Sequence, residues 1–222
     1  MTRRSSHSAL AARLRLLLCL AAALVPWGRA LAEPLPAFVE KLATREQLQQ
    51  LREGGYVIYL RHGITDSTRP DRVPAVDLND CATQRPLTEA GRQLMTEVGQ
   101  AMREARIPLG DIFVSPLCRA KESAEAAFGR HYTVDPLLMY TANLTTEEKR
   151  PILENTRRLL SLPVPAGTNR VVLAHAPNLA DLMGYFVKPE GTAVIIRPLG
   201  DKGFIYVASI PPRRWPELLH KP

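Results

Sequence analysis

Short apolar runs alternate with amphipathic segments of helical period along most of the chain, and this alternation constrains the fold more than any other feature. The runs are rich in β-branched and aromatic residues, as buried strands are. We predict strands at Tyr56–Leu60, Asp111–Val114, Tyr132–Val134, Arg170–Leu173, Ala193–Arg197 and Phe204–Ser209. Helices are predicted at Glu33–Gly55, from Thr88 to Arg106, at Leu117–Phe128 with Ser115 as its cap, from Thr145 or Thr146 to Leu160, and at Asn178–Val187.

Strands that alternate with helices of ten or more residues connect through crossovers, which builds a mainly parallel sheet with helices on both faces. We therefore predict an α/β fold, a three-layer α/β/α sandwich, over residues 33–222. A length of about 190 residues suits one domain and leaves no room for two. In such sheets, ligands bind at the carboxyl ends of the strands.

Residues 1–32 have the pattern of an export signal rather than of a fold. Arginines lie near the start, Leu16–Val25 is wholly apolar, and Ala30–Ala32 supplies small residues. The apolar run has about half the length that a membrane-spanning helix needs. We expect cleavage after Ala32, a periplasmic or secreted protein, and no stable membrane anchor.

The charge of the chain lies mostly in this N-terminal segment. Its five arginines, unaccompanied by acids, account for most of the formal charge of +7, and without them the charge falls to +2. The remaining Lys and Arg residues are scattered among acids, whereas nucleic-acid binding needs them clustered on one face. We expect no nucleic-acid partner, and the sequence does not predict an oligomeric state.

Cationic side chains follow three of the predicted strands. Arg61 and His62 end the first, Arg119 opens the helix after the second, and His175 ends the fourth. The carboxyl ends of parallel strands meet at one edge of the sheet, so we expect these side chains to converge on an anion, and arginine forks favour phosphate. The chain lacks the closely spaced His, Cys and carboxylate ligands of a metal site, so we expect no metal and no cofactor.

Four ordered segments resemble the signature of the histidine phosphatase superfamily, the phosphoglycerate mutase-like proteins. They are Arg61-His62-Gly63, Arg85–Gly91, Ser115–Ala124 and His175–Asn178. The resemblance implies the phosphoglycerate mutase-like sandwich and a phosphatase that passes the phosphoryl group of a small phosphorylated substrate through His62. Arg61, Arg119 and a cationic His175 would hold the phosphate oxygens.

The chain also departs from the family pattern. Ser123 stands in place of the usual Thr, and Ala174 in place of the common Gly. Neither family position for a general acid holds one, since the stretch Leu138–Tyr140 has no acid and Ala176 follows the second histidine. The proton donor is left unassigned. The candidates are Asp66, Asp71, Asp77 and Asp80 in the long loop from Ile64 to Leu87, and less strongly Glu147 and Glu148.

Other polar residues near these segments are candidates for contacts to the substrate, namely Thr65, Gln84 and Asn178. Cys81 and Cys118 fit either a disulfide or two separate buried thiols, and an oxidising compartment favours the disulfide. If formed, that bridge would fasten the long loop one residue from Arg119.

Three other functions stay open. The same pocket would serve a phosphomutase, a non-catalytic protein that binds a phosphorylated ligand, or a phosphatase that acts on phosphohistidine in proteins. The sequence does not define the substrate, for which phosphorylated sugars, envelope glycolipids and small esters are all candidates.

Overall fold

The computed structural model of the protein describes residues 37–73, 76–129 and 131–219. The predicted export signal at 1–32 lies outside the described residues. The α-helices are α1 (Arg45–Glu53), α2 (Glu89–Glu104), α3 (Cys118–Phe128), α4 (Thr146–Ser161), α5 (Ala176–Met183) and α6 (Arg214–Leu219). The strands are β1 (Val57–Arg61), β2 (Leu109–Val114), β3 (Thr133–Val134), β4 (Asn169–Ala174), β5 (Ala193–Pro198) and β6 (Phe204–Ile210). Short 3₁₀ helices lie at Cys81–Thr83, Pro136–Leu138 and Gly200–Lys202.

The strands form one sheet in the order β3-β2-β4-β1-β5-β6. The pairs β3–β2, β2–β4 and β4–β1 are parallel, and β5 runs antiparallel to both β1 and β6. The predicted mainly parallel α/β sheet is therefore confirmed, and every predicted strand is present with its ends shifted by at most two residues.

Helices cover both faces of this sheet, as the predicted sandwich requires. On β1, Ile58 and Leu60 belong to a core shared with α1, α2, α3 and α6. Val57 and Tyr59 point to the other face and join a core shared with α4 and α5. This alternation follows from the two-residue period of side chains along a strand, and it fixes the register in which β1 meets its neighbours.

The longest predicted helices have the expected caps. The Thr88 hydroxyl accepts a hydrogen bond from the Gly91 N–H at the start of α2, and Thr145 forms a capping box with Glu148 at the start of α4. Each cap satisfies a backbone donor that has no partner within its helix. The buried face of α2 includes Met95, Val98 and Met102.

Three predicted helix boundaries are wrong. The first helix begins at Arg45 instead of Glu33, because residues 41–43 pair with Ser209 at the edge of the sheet and Thr44 caps the helix. Leu117, not Ser115, is the residue that precedes α3. The helix predicted at Asn178–Val187 is α5, which ends before Gly184, a residue in the left-handed conformation.

The C-terminal helix α6 was not predicted, although its Trp215 and Leu218 are buried in the core. Within the described ranges, no helix is both long enough and apolar enough to cross a membrane.

Candidate active site

The sheet brings the predicted cationic side chains to one edge. Arg61 ends β1 opposite Ala174 at the end of β4, so His62 and His175 are the next residues along two paired strands. Their ring centroids are 5.2 Å apart. Arg119 lies in the first turn of α3. His62, Arg119 and His175 are at most 1% exposed, so the site is enclosed by protein.

The tautomer of His62 is set by the backbone. Nδ1 of His62 lies 2.8 Å from the carbonyl oxygen of Gly63, which can only accept a hydrogen bond. The ring proton is therefore on Nδ1 in the neutral imidazole, and Nε2 carries the lone pair.

The glycine of the Arg61-His62-Gly63 segment touches the start of α2. A Cβ atom on Gly63 would lie 2.5 Å from the carbonyl oxygen of Gly91, and one on Gly91 would lie 2.2 Å from that of Ile64. Neither position has room for a side chain. The Gly63 N–H donates to the Ser123 hydroxyl at 3.0 Å, and that hydroxyl donates to the Arg119 carbonyl at 2.6 Å. Ser123 thus links the His62 segment to the helix that carries Arg119.

His175 is held from two sides. Its Nε2 lies 2.7 Å from the Ser115 hydroxyl, and its backbone N–H and carbonyl both bond the Tyr59 hydroxyl. Its Nδ1 is buried and has no hydrogen-bond partner among the described residues. Because a buried polar atom without a partner is costly, this nitrogen is suited to bind a ligand oxygen.

The arginines keep several donors free of protein partners. Nη1 of Arg119 donates to Asp71 at 2.8 Å, while its Nε and Nη2 are buried without a partner among the described residues. Arg61 donates to the Val187 carbonyl at 2.7 Å through Nη1. Arg85, which the sequence analysis treated only as part of a helix start, also has a buried Nε without a described partner.

Burial controls the charge of both imidazoles. Desolvation lowers the pKa of His62 and of His175 well below the ordinary value of 6.5, and the nearby Arg119 guanidinium lowers both further. Arg61 and Arg85 act on both pKa values in the same direction. Both rings are therefore neutral at pH 7. In the ligand-free site the lowered pKa favours a neutral His175, because three guanidinium groups already supply positive charge, and the cationic His175 expected with bound phosphate stays a prediction.

The three predicted substrate contacts lie in different settings. Gln84 has a structural role instead, because it is buried, its Oε1 accepts from the Cys118 N–H at 2.7 Å, and its Nε2 donates to the Asp77 carbonyl at 2.8 Å. Asn178 donates to the Met139 carbonyl, and its Oδ1 is buried without a partner among the described residues. Thr65 donates its hydroxyl proton to Glu190 at 2.8 Å.

Two carboxylates contact the arginines of the site. Asp71, one of the predicted loop candidates, bonds Arg119, as described above. Glu190 was missed by the sequence analysis because it lies in a connection without a motif. Its Oε1 is 3.4 Å from Nη2 of Arg61 and 4.0 Å from Nδ1 of His62.

A disulfide joins Cys81 to Cys118. Cys118 is the first residue of α3 and directly precedes Arg119. Of the two alternatives that the sequence leaves open for these cysteines, the structure has the disulfide, which fastens the long loop beside the site.

Two cavities, of about 180 Å³ and 280 Å³, adjoin these side chains. Asp71, Tyr140 and Asn143 line both. The Tyr140 ring centroid is 5.2 Å from the Arg119 guanidinium carbon and 5.6 Å from the His175 ring centroid. Asp71, which lines both cavities, also forms the ion pair with Arg119.

Comparisons with known proteins give one family model and several similar solved structures. Residues 57–141 match the model of the histidine phosphatase superfamily, branch 1. No curated protein sequence matches the chain. The protein histidine phosphatase SixA complexed with tungstate is 16% identical, and the match covers 71% of this chain and 97% of that chain with a TM-score of 0.48. A phosphoserine phosphatase mutant from Entamoeba histolytica with phosphoserine is 12% identical, with 72% and 98% covered and a TM-score of 0.48. The ecdysone phosphate phosphatase from Bombix mori with tungstate is 17% identical, with 71% and 93% covered and a TM-score of 0.45.

Proposed function

From the match of residues 57–141 to the model of the histidine phosphatase superfamily, we propose that the chain is a member of that family and hydrolyses a phosphomonoester through a phosphohistidine intermediate on His62. The observation that carries the proposal is the state of the His62 ring. The ring is buried, its pKa is lowered by desolvation and by Arg119, and the Gly63 carbonyl holds its proton on Nδ1. A neutral imidazole with its lone pair on Nε2 is a competent nucleophile.

The surrounding donors suit a phosphate group. Nε and Nη2 of Arg119, Nε of Arg85 and Nδ1 of His175 are buried without partners among the described residues. Phosphoryl transfer spreads charge over three equatorial oxygens, so fixed donors around those oxygens supply most of the catalysis. Loss of one such donor costs about 10²- to 10³-fold in rate.

The reaction has two steps. In the first, Nε2 of His62 attacks phosphorus, the bond from phosphorus to the ester oxygen breaks, and the departing oxygen takes up a proton. In the second, water attacks phosphorus and gives up a proton, the N–P bond breaks, and phosphate leaves while Nε2 regains its lone pair. Splitting the hydrolysis in this way replaces one difficult step by two easier ones.

The first measurement is phosphate release from 4-nitrophenyl phosphate by the purified protein in the presence of a chelator. The second is the amount of acid-labile phosphoryl label on His62 after the reaction is quenched rapidly. The parent should turn over and label, and His62→Ala should do neither. His131→Ala, which alters an exposed histidine, should behave like the parent.

Two outcomes would overturn this function. Phosphate binding without release by the parent would support a phospholigand-binding protein. Transfer of the label to an added alcohol in preference to water would support a phosphomutase.

Export to the periplasm or beyond is part of the proposal. The pattern of residues 1–32 supports it, and so does the disulfide, since structural disulfides persist mainly in oxidising compartments. Cell fractionation should find the protein outside the cytoplasm with Glu33 as its first residue, and Leu17→Arg with Leu18→Arg should retain it inside. A full-length cytoplasmic protein would contradict export.

A further inference from the structure

One chemical role in the proposed reaction has no residue yet, namely the proton donor for the leaving group. The stretch 138–140, where the mutase-like branch carries a glutamate, ends in Tyr140, and the position after the second histidine is Ala176. A carboxyl donor must therefore come from another part of the chain. Proton transfer by a placed side chain typically contributes about 10²- to 10⁴-fold, so its identity matters for any substrate with a poor leaving group.

Most of the predicted candidates are engaged in local structure. Asp66 accepts hydrogen bonds from the backbone and hydroxyl of Thr68, and Asp77 accepts from the Asn79 N–H. Asp80 caps the 3₁₀ helix at Cys81–Thr83.

The two glutamates are engaged as well. Glu148 accepts from the N–H and hydroxyl of Thr145 in the capping box of α4, and those bonds lower its pKa, which favours the carboxylate over a proton donor. Glu147 is exposed and pairs with Arg150. Within the described ranges, none of these carboxylates forms a hydrogen bond or an ion pair with the arginines and histidines of the site.

Glu190 contacts the site on the wrong side for this role. Its Oε1 faces Nδ1 of His62, the ring edge that is bonded to the Gly63 carbonyl. The phosphoryl group would bind Nε2, at the other edge of the ring. In an in-line transfer the leaving oxygen departs from the far side of phosphorus, and a group behind the nucleophile cannot reach it.

Asp71 contacts the arginine that would bind the phosphate and lines the cavities that would receive a leaving group. Its Oδ1 is 2.8 Å from Nη1 of Arg119 and 2.8 Å from the Arg85 backbone nitrogen. The side chain is 9% exposed and lines both cavities beside the site. The alcohol part of a substrate whose phosphate is bound by Arg119 would extend toward these cavities.

We propose that Asp71 is the general acid and base of this enzyme, an inference that rests on the proposed function. In the first step the Asp71 carboxyl gives its proton to the ester oxygen as the bond from phosphorus to that oxygen breaks, and the alcohol leaves. In the second step the Asp71 carboxylate takes a proton from the attacking water as the N–P bond breaks. The protonated Asp71 is restored with each phosphate released.

The contact with Arg119 places Asp71 beside the proposed phosphate site. Nη1 of Arg119 bonds Asp71, while Nε and Nη2 of the same guanidinium have no partner among the described residues and would hold the phosphate. One arginine side chain thus positions both the phosphoryl group and the carboxyl that would serve its leaving group.

The experiment compares two substrates of similar size and different leaving-group acidity, 4-nitrophenyl phosphate and benzyl phosphate. In Asp71→Asn, kcat/KM should fall about 10²-fold or more for benzyl phosphate and less than about tenfold for 4-nitrophenyl phosphate, because a nitrophenolate needs little protonation. Asn keeps an acceptor for the Arg85 N–H, and circular dichroism checks the fold. Asp71→Glu, which keeps a carboxyl, should retain most of the activity on benzyl phosphate.

Asp66→Asn is the matched control in the same loop and should leave both rates unchanged. Equal losses on the two substrates in Asp71→Asn would show a positioning role and overturn the proposal. A selective loss in Tyr140→Phe, with none in Asp71→Asn, would overturn it in favour of the tyrosine. These results differ from failure of the proposed function, in which the parent itself would neither label His62 nor release phosphate.

Discussion

The Ser115 hydroxyl oxygen lies 2.7 Å from Nε2 of His175, across two neighbouring strands. Ser115 follows β2 and His175 follows β4, and the parallel pairing of Val114 with Leu173 places them side by side. If the hydroxyl donates to Nε2, the ring proton of the neutral imidazole is on Nδ1. Ser115 would then determine which nitrogen of His175 offers a proton to a phosphate oxygen.

Replacement of Ser115 by Ala should lower kcat/KM by about tenfold or more, since Nε2 of His175 would lose its hydrogen-bond partner among the described residues and the ring tautomer would no longer be fixed. Steady-state kinetics with 4-nitrophenyl phosphate measure the effect. Ser161→Ala is the matched control, because the Ser161 hydroxyl at the end of α4 has no hydrogen-bond partner among the described residues. Parent-like kinetics in Ser115→Ala would remove the role assigned to the hydroxyl.

Glu190→Gln should slow formation of the phosphohistidine by about tenfold. Phosphorylation of Nε2 leaves the His62 ring cationic, and the Glu190 carboxylate is 4.0 Å from Nδ1. At that distance the attraction between opposite charges is about 1 kcal/mol in bulk water and about 4 kcal/mol near a protein surface. The partial exposure of Glu190 lowers the attraction within this range. Glutamine still accepts from Thr65, so the contact is kept without the charge. Single-turnover labelling measures the rate, and an unchanged rate would exclude this electrostatic role.

Loss of the disulfide should reduce both stability and activity. The bridge closes a loop between residues 37 apart in sequence, and a disulfide of this kind contributes about 2–4 kcal/mol by restricting the unfolded chain. In the double variant Cys81→Ser and Cys118→Ser, the urea midpoint should fall, and kcat/KM should fall because the loop beside Arg119 is less constrained. The reduced parent should match the variant. Full activity with free thiols would show that the loop is held by its other contacts.

Stability should decrease as the pH falls from about 7 to 5.5. The pKa values of His62 and His175 are lowered in the folded protein, so below about 6.5 the unfolded chain binds protons that the folded chain does not. Each histidine then costs up to about 1.4 kcal/mol per pH unit. Urea denaturation across this range measures the slope, which His62→Gln should reduce. A slope unaffected by His62→Gln would contradict the burial argument.

Much of the fold could be predicted because its signals are local. Strand β4 contains the apolar run Val171–Ala174, and Thr88 and Thr145 are caps that act within four residues. The predicted start of the first helix is wrong for a physical reason. Phe38 and Leu42 have helical spacing, but Phe38 stacks on Tyr185 at 4.2 Å and the backbone at Leu42 pairs with Ser209. Tertiary contacts therefore determine the conformation of that segment.

The residues of the site also differ in how far the sequence predicts them. Arg61, His62, Arg119 and His175 could be placed together because all of them follow parallel strands. Glu190 could not, since it meets Thr65 from 125 residues away in the chain and no period or motif signals that contact. Gln84 is the opposite case, because its place beside a motif predicts a ligand contact, whereas its amide bonds the Cys118 N–H and the Asp77 carbonyl.

The enclosure of His62, Arg119 and His175 has a consequence for affinity. A ligand reaches buried groups only in the fraction of molecules that admit it, and its apparent dissociation constant is the intrinsic one divided by that fraction. This factor weakens the binding of inorganic phosphate as much as that of the ester, because both must reach the same buried Nε and Nη2 atoms of Arg119. Burial of the site would thus limit product inhibition.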